Sequence, residues 1–169
     1  IMLTSAATLL ANLYLVKKIA GHVASETLFV SAVSVALTAY YFPLVFWSLR
    51  GMETGLFVLL TSAGTLLSLN LAKSTTRRDT VLLSLVAVAL VLTRPEGLLS
   101  VVTFIAYVGY HSFKHRQWFA TRTIVSTVGV ALVVMQSFRL IYFGELLPNT
   151  YYLKMTGTSI AERLGVGLD

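Results

Sequence analysis

Arginine and glutamate occur together in three short stretches that interrupt otherwise apolar runs. The stretches are LRGMET (49–54), TRPEG (93–97) and FRLIYFGELLPNTYYLK (138–154). The third stretch adds tyrosine, asparagine and lysine to its Arg139 and Glu145, and Gly144 and Pro148 favour a break in the helix there. These three stretches hold the side chains of this chain that are best suited to bind or transform a polar ligand.

The residue types in these stretches match one kind of ligand. Arginine carries a planar fork of donors that fits phosphate oxygens, and tyrosine stacks against sugar faces. Glutamate serves as acid, base or metal ligand, and asparagine hydrogen-bonds hydroxyl groups in both directions. We therefore expect an amphiphilic ligand with a lipid tail, a phosphate and a polar head. The alternative for Trp47, Tyr142, Tyr151 and Tyr152 is that their rings anchor the chain at the membrane interface. The alternative for Arg139 is that its long side chain only extends to the interface and binds no ligand.

The composition indicates an integral membrane protein. Hydrophobic residues make up 56% of the chain and charged residues 12%, about half of the usual charged share of a soluble domain. There is no cysteine, so disulfides and thiolate chemistry are excluded. The excess of lysine and arginine forms no basic run with interleaved aromatics, which argues against nucleic acid as a partner.

Six apolar runs alternate with polar connections, which predicts an all-α, polytopic bundle of about six spanning helices. The runs cover 1–16, 27–42 with an extension to 47, 55–72, 80–92, 98–110 and 123–143. The two runs around TRPEG are shorter than the roughly 20 residues of a span, so 80–110 is either two spans or a re-entrant hairpin with a recessed TRPEG. We expect a transmembrane region at 1–143 and an outer-face segment at 144–169.

The distribution of basic residues predicts the orientation of the bundle. Alternating crossings place one basic group beside short loops, on the cytoplasmic side: Lys17, Lys18, Lys73, Arg77, Arg78, Lys114, Arg116 and Arg122. The same alternation gathers three pairs at the outer face: Arg50/Glu53, Arg94/Glu96 and Arg139/Glu145. The alternative for each pair is that the two charges only neutralise one another within a loop and bind no ligand. His111 and His115 have the spacing of shared metal ligands, but they lie in the predicted cytoplasmic loop without a third ligand.

The candidate site residues follow from this arrangement. Glu53 is the acid between two adjacent spans at the outer face, and we predict a catalytic role for it. Arg94 and Arg139 each lie at the outer end of an apolar run, where a lipid-linked phosphate would lie, and we favour Arg139 because it leads directly into the stretch from Tyr142 to Lys154. The predicted substrate-binding residues are Arg50, Arg94, Glu96, Arg139, Asn149, Tyr151, Tyr152 and Lys154.

The order RGMET, LTRPEGLL and R-x-x-YFGELLPNTYYLK resembles the multi-spanning glycosyltransferases of the type C superfamily. The similarity is greatest to the bacterial branch with the terminal arabinofuranosyltransferases of the mycobacterial cell wall, and it runs over about residues 49–154. The resemblance implies an enzyme of the bacterial cytoplasmic membrane whose active face is extracytoplasmic. It would move a sugar, such as a pentose, from a polyprenyl-phosphate donor to a cell-envelope glycan or lipid acceptor.

The resemblance also implies inverting chemistry with a carboxylate base in the first outer loop, often with a divalent metal such as Mg²⁺ or Mn²⁺. No aspartate precedes Asp79, so we expect this chain to be an internal fragment whose base lies upstream. Glu53 would then orient the acceptor, assist that base or help to hold the metal. Two alternatives stay open, a transporter or flippase for a lipid-linked saccharide, and a structural membrane subunit.

Overall fold

The structure is a computed structural model that describes residues 2–24, 28–50 and 53–144. These residues form seven helices and no strand, which confirms the all-α prediction. The helices are α1 (Met2–Val23), α2 (Leu28–Ala39), α3 (Phe42–Leu49), α4 (Thr54–Lys73), α5 (Arg77–Thr93), α6 (Gly97–His115) and α7 (Phe119–Phe143). Contacts divide the chain into one unit of residues 1–129 and another of residues 130–169.

Fewer helices than the six predicted are both long and apolar enough to cross a membrane. Among the described residues α4 and α7 meet both conditions, and α2 with α3 would make a third span across a 54° bend. α5 has 17 residues, short of the roughly 20 that cover a bilayer core, and α1 and α6 carry lysine and histidine toward their ends. The coarse prediction of a membrane protein is supported, and the number of spans is not.

Two helices continue beyond the apolar runs 1–16 and 98–110 that predicted them. α1 continues through Lys17 and Lys18 to Val23, and α6 continues to His115 before a short turn at 116–118. Lysine is a good helix former whose long stem also lies along an apolar surface. The two lysines therefore do not end α1, and residues 111–115 include no proline that would end α6, so both predicted boundaries were wrong.

The break between α2 and α3 lies earlier than the sequence indicated. The apolar run of residues 27–42 ends directly before Pro43, but α2 ends at Ala39 and Pro43 lies in the first turn of α3. The first backbone N–H groups of a helix have no partner within it, so a proline there loses no hydrogen bond. Pro43 begins a helix here rather than ending one.

α4 is the central helix of the unit formed by residues 1–129. α1 packs parallel to it, since Thr8 lies beside Gly55 and Ser62 donates a 2.7 Å hydrogen bond to Asn12. A Cβ on Gly64 would overlap the ring of Phe104, so this glycine lets α6 approach α4 closely. Other hydroxyl groups along the helices donate to carbonyls of their own helix, for example Thr61, Thr65, Ser68, Thr80 and Ser84.

Short antiparallel connections give this unit two chemically different ends. The mixed-charge end holds Arg50 after α3, Glu53 before α4, and Arg94 and Glu96 between α5 and α6. The basic end holds the C-terminal parts of α1, α4 and α6 and the starts of α5 and α7. Its cations are Lys17, Lys18, Lys73, Arg77, Arg78, Lys114, Arg116 and Arg122, the group that the sequence assigned to one side.

Candidate functional site

Arg94 joins the first two of the three charged stretches. Its Nε lies 3.6 Å from Oε1 of Glu53 and 3.6 Å from Oε2 of Glu96. The guanidinium carbon also lies 5.9 Å from the ring centroid of Phe57, one helical turn beyond Glu53 on α4. Both ion pairs are partly exposed, with 39% of the Arg94 side chain and 45% of the Glu53 side chain accessible. The cluster of Glu53, Arg94 and Glu96 is therefore open to a ligand.

A tight connection between α5 and α6 positions this cluster. Arg94 follows α5 with extended backbone, and its N–H donates to the carbonyl of Leu90 at 3.1 Å. The N–H of Gly97 donates to the carbonyl of Arg94 at 2.9 Å, and Gly97 itself is buried. A Cβ on Gly97 would overlap the carbonyl oxygen of Leu90, so no larger residue permits this close approach. The turn thus places Glu96 beside Arg94.

Glu53 precedes the first residue of α4, and its side chain makes no capping hydrogen bond. A carboxylate at this position is favoured by the helix dipole. Because α4 and α5 are antiparallel neighbours, the start of α4 lies beside the end of α5. The carboxylate therefore meets Arg94 from the neighbouring stretch, rather than Arg50 from its own.

Arg50 follows α3, and its guanidinium lies 4.2 Å from the ring centroid of Phe46. Its backbone N–H donates to the carbonyls at the end of α3. The sequence grouped Arg50 with Glu53 because they are three residues apart. In the structure Glu53 has Arg94 as its ion partner, and Arg50 contacts an aromatic ring at the same end of the unit.

The third charged stretch begins near the end of α7, in the unit of residues 130–169. Arg139 is half-buried, and Phe138 stacks on Tyr142 with ring centroids 5.6 Å apart. α7 ends before Gly144, whose φ of 68° lies in the left-handed region that favours glycine. Five predicted residues lie outside the described part of the chain: Glu145, Asn149, Tyr151, Tyr152 and Lys154.

The expected divalent metal has no evident ligand set among the described residues. Among them no three side chains of histidine, aspartate or glutamate come together. Glu53 and Glu96 both approach the guanidinium of Arg94, so a positive charge already lies where a cation would bind. The expectation of Mg²⁺ or Mn²⁺ stays a prediction about the full-length enzyme, with no ligand assigned in this chain.

Three cavities in the described residues lie away from the mixed-charge cluster. One of about 260 Å³ at the basic end is lined by Lys73, His111 and His115 among others. A second of about 530 Å³ lies between α1, α2 and α4, also toward the basic end. A third of about 200 Å³ lies between α4 and α6 and is mostly apolar. His111 and His115 thus share a cavity with a lysine, a cation that disfavours a metal there.

Phe57 and Gly97 are the parts of the cluster that sequence reasoning missed. Phe57 follows Glu53 by four residues, a spacing that puts both on one face of a helix and so offered a signal. Gly97 closes the TRPEG stretch, where its need for close approach to Leu90 depends on the packing of two helices.

Comparison with known proteins adds no identification. The chain matches no protein-family model, no curated protein and no solved structure. Its function is therefore inferred from its residues and their geometry.

Proposed function

We propose that this chain is part of an integral membrane glycosyltransferase. The enzyme would transfer a sugar, such as a pentose, from a polyprenyl-phosphate donor to a cell-envelope glycan or lipid. The reaction would take place at the extracytoplasmic face of a bacterial cytoplasmic membrane, with the mixed-charge end facing outward. The proposal includes six crossings, in which α5 and α6 span as a closely connected pair.

One observation carries this proposal: Arg94 lies between Glu53 and Glu96 at one end of the unit. Glu53 and Arg94 belong to stretches that lie far apart in the sequence, yet their charged side chains meet. Both carboxylates approach Arg94 at Nε, which leaves the terminal nitrogens of its fork for another partner. Phosphate is one of the anions whose geometry this fork matches.

The chain's own residues take distinct roles in this proposal. Arg94 binds the donor phosphate, and the two carboxylates hold its guanidinium in place. Glu53 orients the acceptor hydroxyl or accepts its proton as the glycosidic bond forms and the polyprenyl phosphate leaves. Arg139 and the residues that follow it, Asn149, Tyr151, Tyr152 and Lys154, bind the donor headgroup.

Transfer of labelled sugar from the polyprenyl-phosphate donor, in membranes that hold the natural protein, tests the proposal. Glu53→Gln is expected to lower turnover about tenfold or more, the scale for loss of a positioned acid or base. Asp79→Asn is the matched control, because Asp79 lies in the first turn of α5 at the basic end. Equal activity of Glu53→Gln and the natural protein at equal expression contradicts the catalytic role.

The role of Arg94 is tested by donor binding. Arg94→Lys keeps the charge but loses the planar fork, so binding is expected to weaken about tenfold, and Arg94→Ala is expected to weaken it further. Arg139→Lys and Arg139→Ala give the same test for the third stretch. Nearly full donor affinity in a lysine variant would mean that this arginine contributes only its positive charge. Full donor affinity in an alanine variant would mean that this arginine does not bind the donor.

A transporter or flippase for a lipid-linked saccharide is the second candidate. The 54° bend between α2 and α3 favours it, because broken helices line the substrate path in many transporters. The two functions differ in product. Sealed vesicles that move the intact labelled lipid across the membrane without cleaving the sugar–phosphate bond would support transport and exclude the transferase.

A further inference from the structure

A cavity of about 530 Å³ opens between α1, α2 and α4 near the basic end. Its polar wall includes Lys17, Lys18, His22, Ser31 and Asn70. Its volume falls within the range of about 300–1,000 Å³ that is usual for small-molecule sites. It is separate from the cluster around Arg94, which lies at the opposite end of α4.

The charged side chains among the described residues that line this cavity are all basic. Lys18 Nζ lies 4.9 Å from the ring centroid of Tyr14, a contact that holds the ammonium at the cavity wall. Nδ1 of His22 lies 3.3 Å from the carbonyl oxygen of Lys18. The hydroxyl of Ser31 and the amide of Asn70 supply further donors. This wall is suited to an anion.

The remaining wall is apolar and continues onto the outer surface of the helices. Leu28 and Leu66 line the cavity beside Tyr14. Leu28 and its neighbour Phe29 are 80% and 77% exposed, and Leu10 on α1 is 68% exposed. In a membrane protein such side chains face lipid chains. The cavity therefore joins an anion-binding wall to an acyl-facing surface.

We propose that this cavity binds one anionic phospholipid of the surrounding membrane. The lipid phosphate lies against Lys17 and Lys18, the glycerol region contacts Ser31 and Asn70, and the acyl chains pass over Leu28 and Leu66. Basic pockets between helices on the cytoplasmic side are a general form of lipid headgroup site. The site requires that the chain lies in a membrane, and it does not depend on the transferase activity.

The test measures lipid binding to the natural protein purified in detergent, with phosphatidylglycerol as the probe. The double variant Lys17→Gln with Lys18→Gln is expected to lower affinity about thirtyfold, the weight of two lysines at a lipid surface. The double variant Lys73→Gln with Lys114→Gln is the matched control. It removes the same charge from the same end, outside this cavity, and is expected to change affinity less than about twofold.

Four further measurements decide the chemistry of the site. Phosphatidylcholine is expected to bind much more weakly than phosphatidylglycerol, and Asn70→Leu, which removes the amide group without changing the charge, is expected to weaken binding. Equal losses in both lysine pairs would overturn the proposal in favour of general charge attraction. Displacement of the lipid by millimolar inorganic phosphate would overturn it in favour of a small-anion site. The double variant Lys17→Arg with Lys18→Arg keeps the positive charge and is expected to retain its affinity for the lipid. That result would show that the glutamine double variant loses affinity through its lost charge and not through misfolding.

Discussion

The two ends of the unit formed by residues 1–129 hold their charged side chains in different ways. At the mixed-charge end, Arg94 is paired with the carboxylates of Glu53 and Glu96. Cations lie near aromatic rings at both ends, Arg50 near Phe46 at the mixed-charge end and Lys18 and Arg77 near Tyr14 and Phe119 at the basic end. Both ion pairs found within the described residues are at the mixed-charge end.

This difference has a chemical consequence. At the mixed-charge end, two carboxylates hold the guanidinium of Arg94 in place and balance the positive charge of the arginines there. The basic end has a surplus of positive charge among the described residues, which suits an acidic surface. Membrane proteins retain such surplus cations on the cytoplasmic side, where the lipid surface is negative.

The largest expected effect is an all-or-none difference in labelling between the two ends. The chain has no cysteine, so an introduced cysteine is the one residue of this chain that a maleimide labels. In intact cells, Pro95→Cys is expected to react with a membrane-impermeant maleimide, and Thr75→Cys only after the membrane is permeabilised. Reaction of Thr75→Cys from outside would reverse the orientation and with it the assignment of the site.

Gly97→Ala is expected to destabilise the mixed-charge end by about 3 kcal/mol, at the upper part of the range for overpacking. The added Cβ would overlap the carbonyl oxygen of Leu90, which is backbone and cannot rotate away. Gly109→Ala on the same helix is the control, because its Cβ would meet only Thr121 at an ordinary 3.8 Å. Thermal unfolding in detergent measures both, and equal melting temperatures would show that the α5–α6 turn has room.

Ser48→Ala is expected to leave stability unchanged or raise it by up to about 1 kcal/mol. The Ser48 hydroxyl is buried beside Gly55, and no hydrogen-bond partner for it lies within the described residues. A buried hydroxyl without a partner carries a desolvation penalty, which alanine removes. Ser62→Ala is the contrasting variant, since that hydroxyl donates to Asn12 and its loss is expected to destabilise. A clear loss in Ser48→Ala would reveal a partner for the hydroxyl.

The smallest expected effect is the coupling between Arg94 and Glu53. Partly exposed ion pairs contribute about 0.2–1 kcal/mol, and salt screens them. A double-mutant cycle with Arg94→Gln and Glu53→Gln is expected to give a coupling free energy in this range that falls in 1 M salt. A salt-independent coupling above about 2 kcal/mol would mean that the cluster is shielded from solvent and is not an open site.

Much of the helix pattern could be predicted from the sequence. The long apolar runs at 55–72 and 123–143 became α4 and α7, because such a run has no other way to satisfy its backbone in an apolar surrounding. The extension of α1 through Lys17 could not be predicted by hydropathy, which scores a lysine as a break although it favours a helix. The bend before Pro43 was placed wrongly for a related reason, since proline ends one helix and begins another equally well.

The sequence predicted which residues belong to the candidate site but not how these residues are grouped. Arg94, Glu96 and Glu53 were selected because charge in an apolar chain is costly. Their grouping around one guanidinium depends on the antiparallel packing of α4 and α5 and on the close contact at Gly97, which are properties of the assembled helices. Local spacing instead favoured Arg50 as the partner of Glu53.

The three-residue connection between α5 and α6 also bears on biosynthesis. Neither helix passes the length and hydropathy conditions of an independent span. In the six-crossing arrangement, the translocon would therefore not release α5 into lipid as a finished segment. The two helices would enter the bilayer together as a hairpin that is already folded at Gly97. If translation stalled after α5 but before α6 was made, α5 would therefore stay outside the hydrocarbon core.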